Sequence, residues 1–287
     1  MTAIYKKEMR TYFTQMIGYI FLAVFVLLVG IWFSLGSLNS RDANFQQVLS
    51  NVTIFFIILI PLLTMRLFSE EIRQKTDQLI FTSPLSVVSI VLGKFLAALT
   101  LFILGVAITV VMPFMIRNHT TLPVSQIAGA YIGFILLGAA GIAVGVFISC
   151  LTENQIIAAI GTMGAIFAMY LMDGIAISMP TSTFASLMFV VFIIAAVTVV
   201  WYNSTRNKIA SAIVCALGLA IAGGLYMFNN LIYDGIIVRV LLWLSIYTRF
   251  SVFTRGILSL SDVVYYISFA ALFIYLTINV IEKRRWR

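Results

Sequence analysis

The sequence predicts an all-α membrane protein, a polytopic transmembrane helical bundle with about eight spans and both termini in the cytoplasm. Of its 287 residues, 62% are hydrophobic and only 10% are charged, whereas soluble domains carry about a quarter charged residues. The apolar runs approach the roughly 20 residues that cross a bilayer. No hydrophilic stretch reaches the roughly 50 residues of an independent soluble domain. Any enzymatic or ATP-driven step in water must therefore come from another chain.

The predicted spans, in chain order, cover residues 17–38, 52–67, 91–116, 126–150, 156–172, 184–202, 210–228 and 263–281. We expect polar external stretches at 39–51, 117–125 and 173–183. An even number of spans places both termini on one side, which agrees with the Lys and Arg residues at both ends. Segment 236–260 is shorter than a span in its apolar part and contains Arg239. It is predicted to be an external re-entrant or interfacial segment.

The net charge of +8 orients the protein and does not indicate a nucleic-acid partner. Most Lys and Arg residues fall on the side predicted to be cytoplasmic, which is the positive-inside pattern. Residues 4–15 form a predicted amphipathic helix at the cytoplasmic interface, in contact with membrane lipids. Tyr5, Met9, Tyr12 and Phe13 share one face, and the basic residues are Lys6, Lys7 and Arg10. The alternative to this helix is a frayed terminus.

The sequence offers no catalytic residue, metal site or cofactor site. The single histidine, His119, lies in a predicted external loop, and Cys150 and Cys215 have no CxxC neighbour. There is no P-loop, so this chain does not hold nucleotide phosphates by that route. Acids are nearly absent from the spans, which disfavours an ion-coupled transporter.

Small residues recur at four-residue spacing in the fourth predicted span, at Gly129, Gly133, Gly141 and Gly145. This spacing lets helix backbones approach closely. The pattern fits either ordinary bundle packing or a helix that slides during gating.

Segment 66–94 is the longest charged stretch of the chain. Ser69, Glu70 and Glu71 are typical of a helix start, because acids favour the positive end of the helix dipole. Ile72, Thr76 and Leu79 then share one face, with Arg73, Lys75 and Asp77 opposite. Ser83-Pro84 ends the predicted helix. A basic segment that only sets membrane orientation is the alternative, although the mixed charge argues against it.

This segment resembles the coupling region of ABC-2 type permeases. The family pattern has acidic residues, a Gly-Thr pair, a leucine-rich turn, a proline and an apolar stretch ending in Gly-Lys. Lys75 stands where the family often has glycine. The matching residues here are Glu70, Glu71, Thr76, Leu79, Pro84, Gly93 and Lys94. Residues 244–285 and 151–155 are similar to the branch related to gliding-motility permeases.

The resemblance implies a single ABC-2 transmembrane domain over 1–287, with an extra helix pair at 184–228. The chain would be the permease subunit of an ATP-driven exporter in the cytoplasmic membrane of a bacterium. Its partners would be an ATPase subunit holding ATP and Mg, and a second permease chain, identical or different. The ATPase-coupling residues would be the matching residues of segment 66–94 together with Arg73. An anchor or mechanotransmitting subunit for an external accessory protein remains open, as does a secondary transporter or channel.

Overall fold

The computed structural model describes residues 1–38, 44–76, 86–115, 123–205, 208–228 and 233–285. The described residues are predominantly helical and include no strand, which confirms the all-α prediction. The first helices are α1 (Thr2–Thr14), α2 (Ile17–Phe33), α3 (Phe45–Val52), α4 (Phe56–Thr64) and α5 (Ser69–Arg73). They are followed by α6 (Val87–Thr109), α7 (Val111–Met115), α8 (Val124–Leu151), α9 (Gln155–Ser178) and α10 (Thr183–Thr205). The last are α11 (Lys208–Phe228), α12 (Ile236–Leu244), α13 (Phe250–Thr254) and α14 (Leu260–Arg285).

Six stretches of the described chain are long and apolar enough to cross a membrane. They are Ile17–Ser37, Phe45–Arg73, Val87–Met115, Val124–Leu151, Gln155–Ser178 and Leu260–Arg284. They match the first five predicted spans and the last. The other two predicted spans form α10 and α11, of 23 and 21 residues, within which the continuously described apolar stretches are Thr183–Val199 and Ser211–Gly224. The described residues therefore support six spans, also an even number, and a count of eight stays a prediction.

The first compact unit contains Met1–Tyr170 and Ile246–Arg287. Helix α8 lies at its centre and packs against α4, α6, α13 and α14. Its core is built around four buried rings whose centroids lie 4.8 to 6.1 Å apart, those of Phe25, Phe56, Phe102 and Phe134. Aromatic pairs at this separation stabilise a core beyond the area they bury. They fix the middle of the helices that lead to the charged segment 66–76.

The prediction of a polar loop over 39–51 is wrong for its second half, because residues from Phe45 onward form α3. Phe45, Val48, Leu49 and Val52 are fully or almost fully buried, and their spacing of three and four residues is that of one helical face. The Gln, Ser and Asn residues between them make the segment polar on average, which is why the sequence predicted a loop. The second candidate span consequently runs from Phe45 to Arg73, well beyond the predicted 52–67.

The second compact unit contains Leu171–Ser245. Within it, α10 packs against α11, and the hydroxyl of Tyr233 donates a hydrogen bond of 2.8 Å to the carbonyl of Ala222. Helix α9 continues to Ser178, six residues beyond the predicted span 156–172, and the external position of 173–183 stays a prediction. Segment 236–260 contains α12 and α13, of nine and five residues, each too short to cross a bilayer. Its interfacial position stays a prediction.

Candidate functional site

The apolar face of helix α1 packs against the core of the first unit, to which α1 belongs. Tyr12 is buried in the core, and its hydroxyl donates a 2.7 Å hydrogen bond to the carbonyl of Leu63. Tyr5, Met9 and Phe13 pack against the same core. This face is therefore covered by protein. Lys6, Lys7 and Arg10 are exposed on the opposite side.

Gly93 lets α1 cross α6 closely. A Cβ at this position would lie 3.1 Å from the Cγ2 atom of Ile4 and 3.3 Å from the carbonyl oxygen of Met1. The glycine of the predicted Gly-Lys pair thus leaves room for α1, and Lys94 is placed beside it.

Helix α5 begins at Ser69 as predicted, but Ser69 is not its cap. The hydroxyl of Ser149, in α8, accepts hydrogen bonds from the backbone N–H groups of Phe68 and Ser69 at 3.1 and 3.2 Å. The first N–H groups of a helix have no partner within the helix, so they require one from elsewhere. Glu70 and Glu71 lie in the first turn, where their charge suits the helix dipole. The start of α5 is therefore attached to α8 by a residue 80 positions away in sequence.

The last residue of helix α5 is Arg73, and two positions later Lys75 has a left-handed backbone conformation with φ of 55°. The N–H of Thr76 donates to the carbonyl of Glu71 at 3.0 Å, and that of Lys75 donates to Ile72 at 3.1 Å. These two bonds form a Schellman motif, a helix end that usually places glycine at the left-handed position. The glycine that the family often has at this position would suit the left-handed backbone of the turn, although the residue here is lysine.

Replacing Lys75 by glycine should stabilise the folded chain by about 1 kcal/mol, because glycine lacks the Cβ that penalises this conformation. The measurement is the thermal unfolding midpoint of the purified chain in detergent, which should rise. The control is Gln74→Gly, since Gln74 has ordinary helical dihedral angles with φ of −82° and glycine there should destabilise slightly. Equal shifts in the two variants would contradict the left-handed turn.

Lys94 is the centre of a buried charged cluster formed by Lys7, Glu8, Glu71 and Lys94. Its side chain is 1% exposed, and its ammonium lies 2.8 Å from Oε1 of Glu8 and 2.9 Å from Oε2 of Glu71. It also donates to the carbonyl of Leu67 at 2.6 Å. An ammonium has three N–H donors, and these three acceptors satisfy all of them. The cluster thereby joins α1, α5 and α6.

Lys7 completes the cluster from its exposed side. Its ammonium lies 2.7 Å from Oε1 of Glu71 and 3.8 Å from Glu8. Partial burial tends to lower the pKa of Lys7, but the hydrogen bond and charge of Glu71, together with the charge of Glu8, outweigh it and raise the pKa above its usual value. Lys7 is therefore charged at neutral pH, and the two lysines balance the two glutamates.

The structure separates the predicted coupling residues into an inward and an outward group. Gly93, Lys94 and Glu71 face inward, and Glu70 pairs with Arg66 at 3.0 Å. The outward group consists of Arg73, which is exposed at the helix end, and Thr76, which is half-buried; Gln74 and Lys75, which were not predicted, are exposed between them. Leu79 and Pro84 lie outside the described residues, and so does most of the predicted amphipathic helix.

Two members of the site were not predicted from the sequence, Glu8 and Ser149. Glu8 is the single acid among the basic residues of α1, and it is 7% exposed. Its spacing from Tyr12 and Tyr5 places it on the apolar face, which is a signal that could have identified it. Ser149 carried no such signal, because its partners are distant in sequence.

The glycines of α8 lie where other helices approach it most closely. A Cβ at Gly133 would lie 2.6 Å from that of Phe253 in α13, and one at Gly129 would lie 2.8 Å from the carbonyl of Phe253. Gly141 and Gly145 face Ile60 and Thr64 of α4. These four positions thus allow two helices to contact the α8 backbone, and sliding of α8 stays a prediction.

In the described parts of the chain, no cluster of three or more His, Cys, Asp or Glu side chains has the arrangement of a metal site. No curated protein and no solved structure matches this chain. A family model described as ABC-2 family transporter protein matches residues 32–199, which include α5 and its turn. Members of this family are membrane permease components that in general pair as dimers and associate with an ABC ATPase. Because the match covers more than half of the sequence, the chain belongs to the ABC-2 family of transporter proteins.

Proposed function

We propose that this chain is the permease subunit of an ATP-driven exporter, and that a separate nucleotide-binding ATPase drives it through α5 and the turn at residues 74–76. The observation that carries the proposal is the attachment of this short segment to three other helices. Its exposed end offers Arg73, Gln74 and Lys75 to a partner, while Glu71 and the N-terminus of α5 hold it to the bundle.

The first route for movement is the polypeptide itself. Helix α5 is the last part of the candidate span Phe45–Arg73, so a displacement of the turn reaches α4 directly. Ser149 also accepts hydrogen bonds from the start of α5, and its hydroxyl donates to the carbonyl of Met65 at 3.2 Å. Pressure on α5 would therefore act on α4 and α8 together.

The second route is the charged cluster. Glu71 of α5 contacts Lys94 of α6, and Lys94 contacts Glu8 of α1. Separating these groups would leave charges uncompensated in a buried place, which costs several kcal/mol. The three helices would therefore move as one body when the ATPase closes, and the prolines inside α4 and α7, Pro61 and Pro113, are positions where the spans could bend.

The proposed assembly contains two permease chains and two ATPase subunits in a bacterial cytoplasmic membrane, with ATP and Mg bound by the ATPase. The gliding-motility branch remains a proposal based on the resemblance of residues 244–285. The resemblance to that branch also supports an alternative in which this chain is an anchor or mechanotransmitting subunit for an external accessory protein.

Copurification of the full-length chain from its native membrane tests the proposal. We expect a protein with a P-loop to elute with the chain in equal amounts, identified by mass spectrometry, and ATP hydrolysis in the eluted fraction. Transport activity of the chain reconstituted without any ATPase would contradict the proposal and indicate a secondary transporter or channel. Copurification of an external protein with the ATPase would identify the accessory-protein variant.

A further inference from the structure

At the end of the first unit that carries the turn, acidic side chains point inward and basic side chains point outward. Glu8, Glu70 and Glu71 are all used in contacts with Lys94, Lys7 or Arg66. Besides Lys7, which pairs with Glu71, four cations of α1, α5 and its turn are exposed, namely Lys6, Arg10, Arg73 and Lys75. The neutral buried cluster therefore lies beneath a positively charged surface.

These four cations, which we call the basic surface, have no ion-pair partner among the residues that the structure describes. The adjoining segment 77–85 contributes one acid to the sequence, Asp77, and no base. Even with Asp77 counted, four positive charges face one negative charge. The surface is therefore available to an acidic partner.

A cavity of about 330 Å³ opens beside the basic surface, between α1 and the turn. Its charged lining consists of three glutamates, Glu8, Glu70 and Glu71, and three cations, Lys7, Arg66 and Lys94. These charges pair with one another, since the Nε atom of Arg66 lies 3.0 Å from Oε2 of Glu70 and the ammonium of Lys7 lies 2.7 Å from Oε1 of Glu71. The glutamates of the cavity would repel an incoming carboxylate, so the exposed cations outside it are the ones left for an acidic partner.

We propose that the ATPase docks on the basic surface through an acidic face. The proposal rests on the proposed function and names the chemistry of its partner. Anionic lipid is the other candidate for a basic surface, but a helix that binds lipid inserts its apolar face. The apolar face of α1 is covered by protein, so an acidic protein fits better.

Charge reversal tests the proposal on the full-length chain in nanodiscs. The double variant Arg73→Glu/Lys75→Glu should weaken binding of the copurified ATPase at least tenfold at about 100 mM salt. The difference should shrink at about 500 mM salt, because salt screens exposed charges. The matched control is Lys208→Glu/Lys283→Glu, which changes the same charge at exposed residues elsewhere in the chain and should bind as wild type.

Two further measurements distinguish the loss of a protein contact from misfolding and from the loss of a lipid contact. The neutral variant Arg73→Gln/Lys75→Gln should show a smaller loss of binding with an unchanged unfolding midpoint, as expected for a charge effect on an intact fold. The binding comparison is made in nanodiscs of phosphatidylcholine alone and in nanodiscs with added phosphatidylglycerol. The proposal requires the loss in both.

Wild-type affinity of the charge-reversed chain in both nanodiscs would overturn the acidic face while leaving the ATPase partnership intact. A loss that requires phosphatidylglycerol would also overturn it and assign the cations to lipid. Failure of any ATPase to copurify would instead refute the proposed function itself.

Discussion

Replacing Lys94 by methionine should lower the free energy of unfolding by about 3 to 5 kcal/mol, the effect of removing one partner from a buried ion pair. Methionine fills the volume but leaves Glu8 and Glu71 at 9% and 13% side-chain exposure. Lys7 alone then balances one of the two carboxylates. The thermal unfolding midpoint of the purified chain in detergent should fall markedly, and the yield of folded protein should fall with it.

The triple variant Glu8→Gln/Glu71→Gln/Lys94→Met separates charge from packing. It removes both carboxylates with the ammonium, so most of the lost stability should return. Lys208→Met, at an exposed lysine, serves as the control and should change stability by less than about 0.5 kcal/mol. If Lys94→Met were as stable as this control, the buried cluster would be refuted.

Replacing Gly145 by alanine should destabilise the chain by about 1 to 3 kcal/mol, the usual cost of forcing atoms into a filled core. The added methyl group would overlap the side chain of Thr64, whose Cβ would be only 2.8 Å away. Thr64 has little freedom to move, because its hydroxyl donates a 2.9 Å hydrogen bond to the carbonyl of Ile60. The contact between α4 and α8 would have to open.

Gly164→Ala is the matched control for this substitution. No atom lies within 4 Å of a Cβ at Gly164, and alanine improves helix propensity by about 1 kcal/mol at either position. Gly164→Ala should therefore be neutral or stabilising in the same thermal unfolding measurement. Two variants that both gain stability would show that α4 does not lie against Gly145.

Features encoded by local pattern were predicted from the sequence. The apolar runs predicted all six described stretches that are long and apolar enough to cross a membrane, because hydropathy over about 20 residues is a local property. The acids at 70 and 71 marked the start of α5 because they favour a helix N-terminus. The phase of Tyr5, Met9, Tyr12 and Phe13 defined the apolar face of α1.

Features that depend on contacts between distant residues were not predicted. The inward direction of Glu71 requires Lys94, and the capping of α5 requires Ser149 from another helix. Helix α3 was interpreted as a loop because polar residues separate its apolar ones, yet four apolar residues on one face suffice once α2 and α8 cover them. Burial of this kind arises only in the assembled bundle.

Lys75 illustrates a conflict between the local and the tertiary level. A lysine is a poor choice for a left-handed helix end, where glycine is preferred. Such conflicts are expected at functional positions. The basic surface supplies a reason for this one, because Lys75 contributes a charge there that glycine would lack.

Site-specific cross-linking between this chain and the copurified ATPase tests the proposed coupling through α5 most directly. Cys150 and Cys215 would first be replaced by alanine, and a single cysteine then placed at the exposed Gln74 or, as the control, at the exposed Gln47. These positions lie near opposite ends of the candidate span Phe45–Arg73, about 40 Å apart at 1.5 Å per helical residue. We expect a cross-link to the ATPase from position 74 and none from position 47. Equal yields from both positions, or a cross-link from position 47 alone, would contradict coupling through α5.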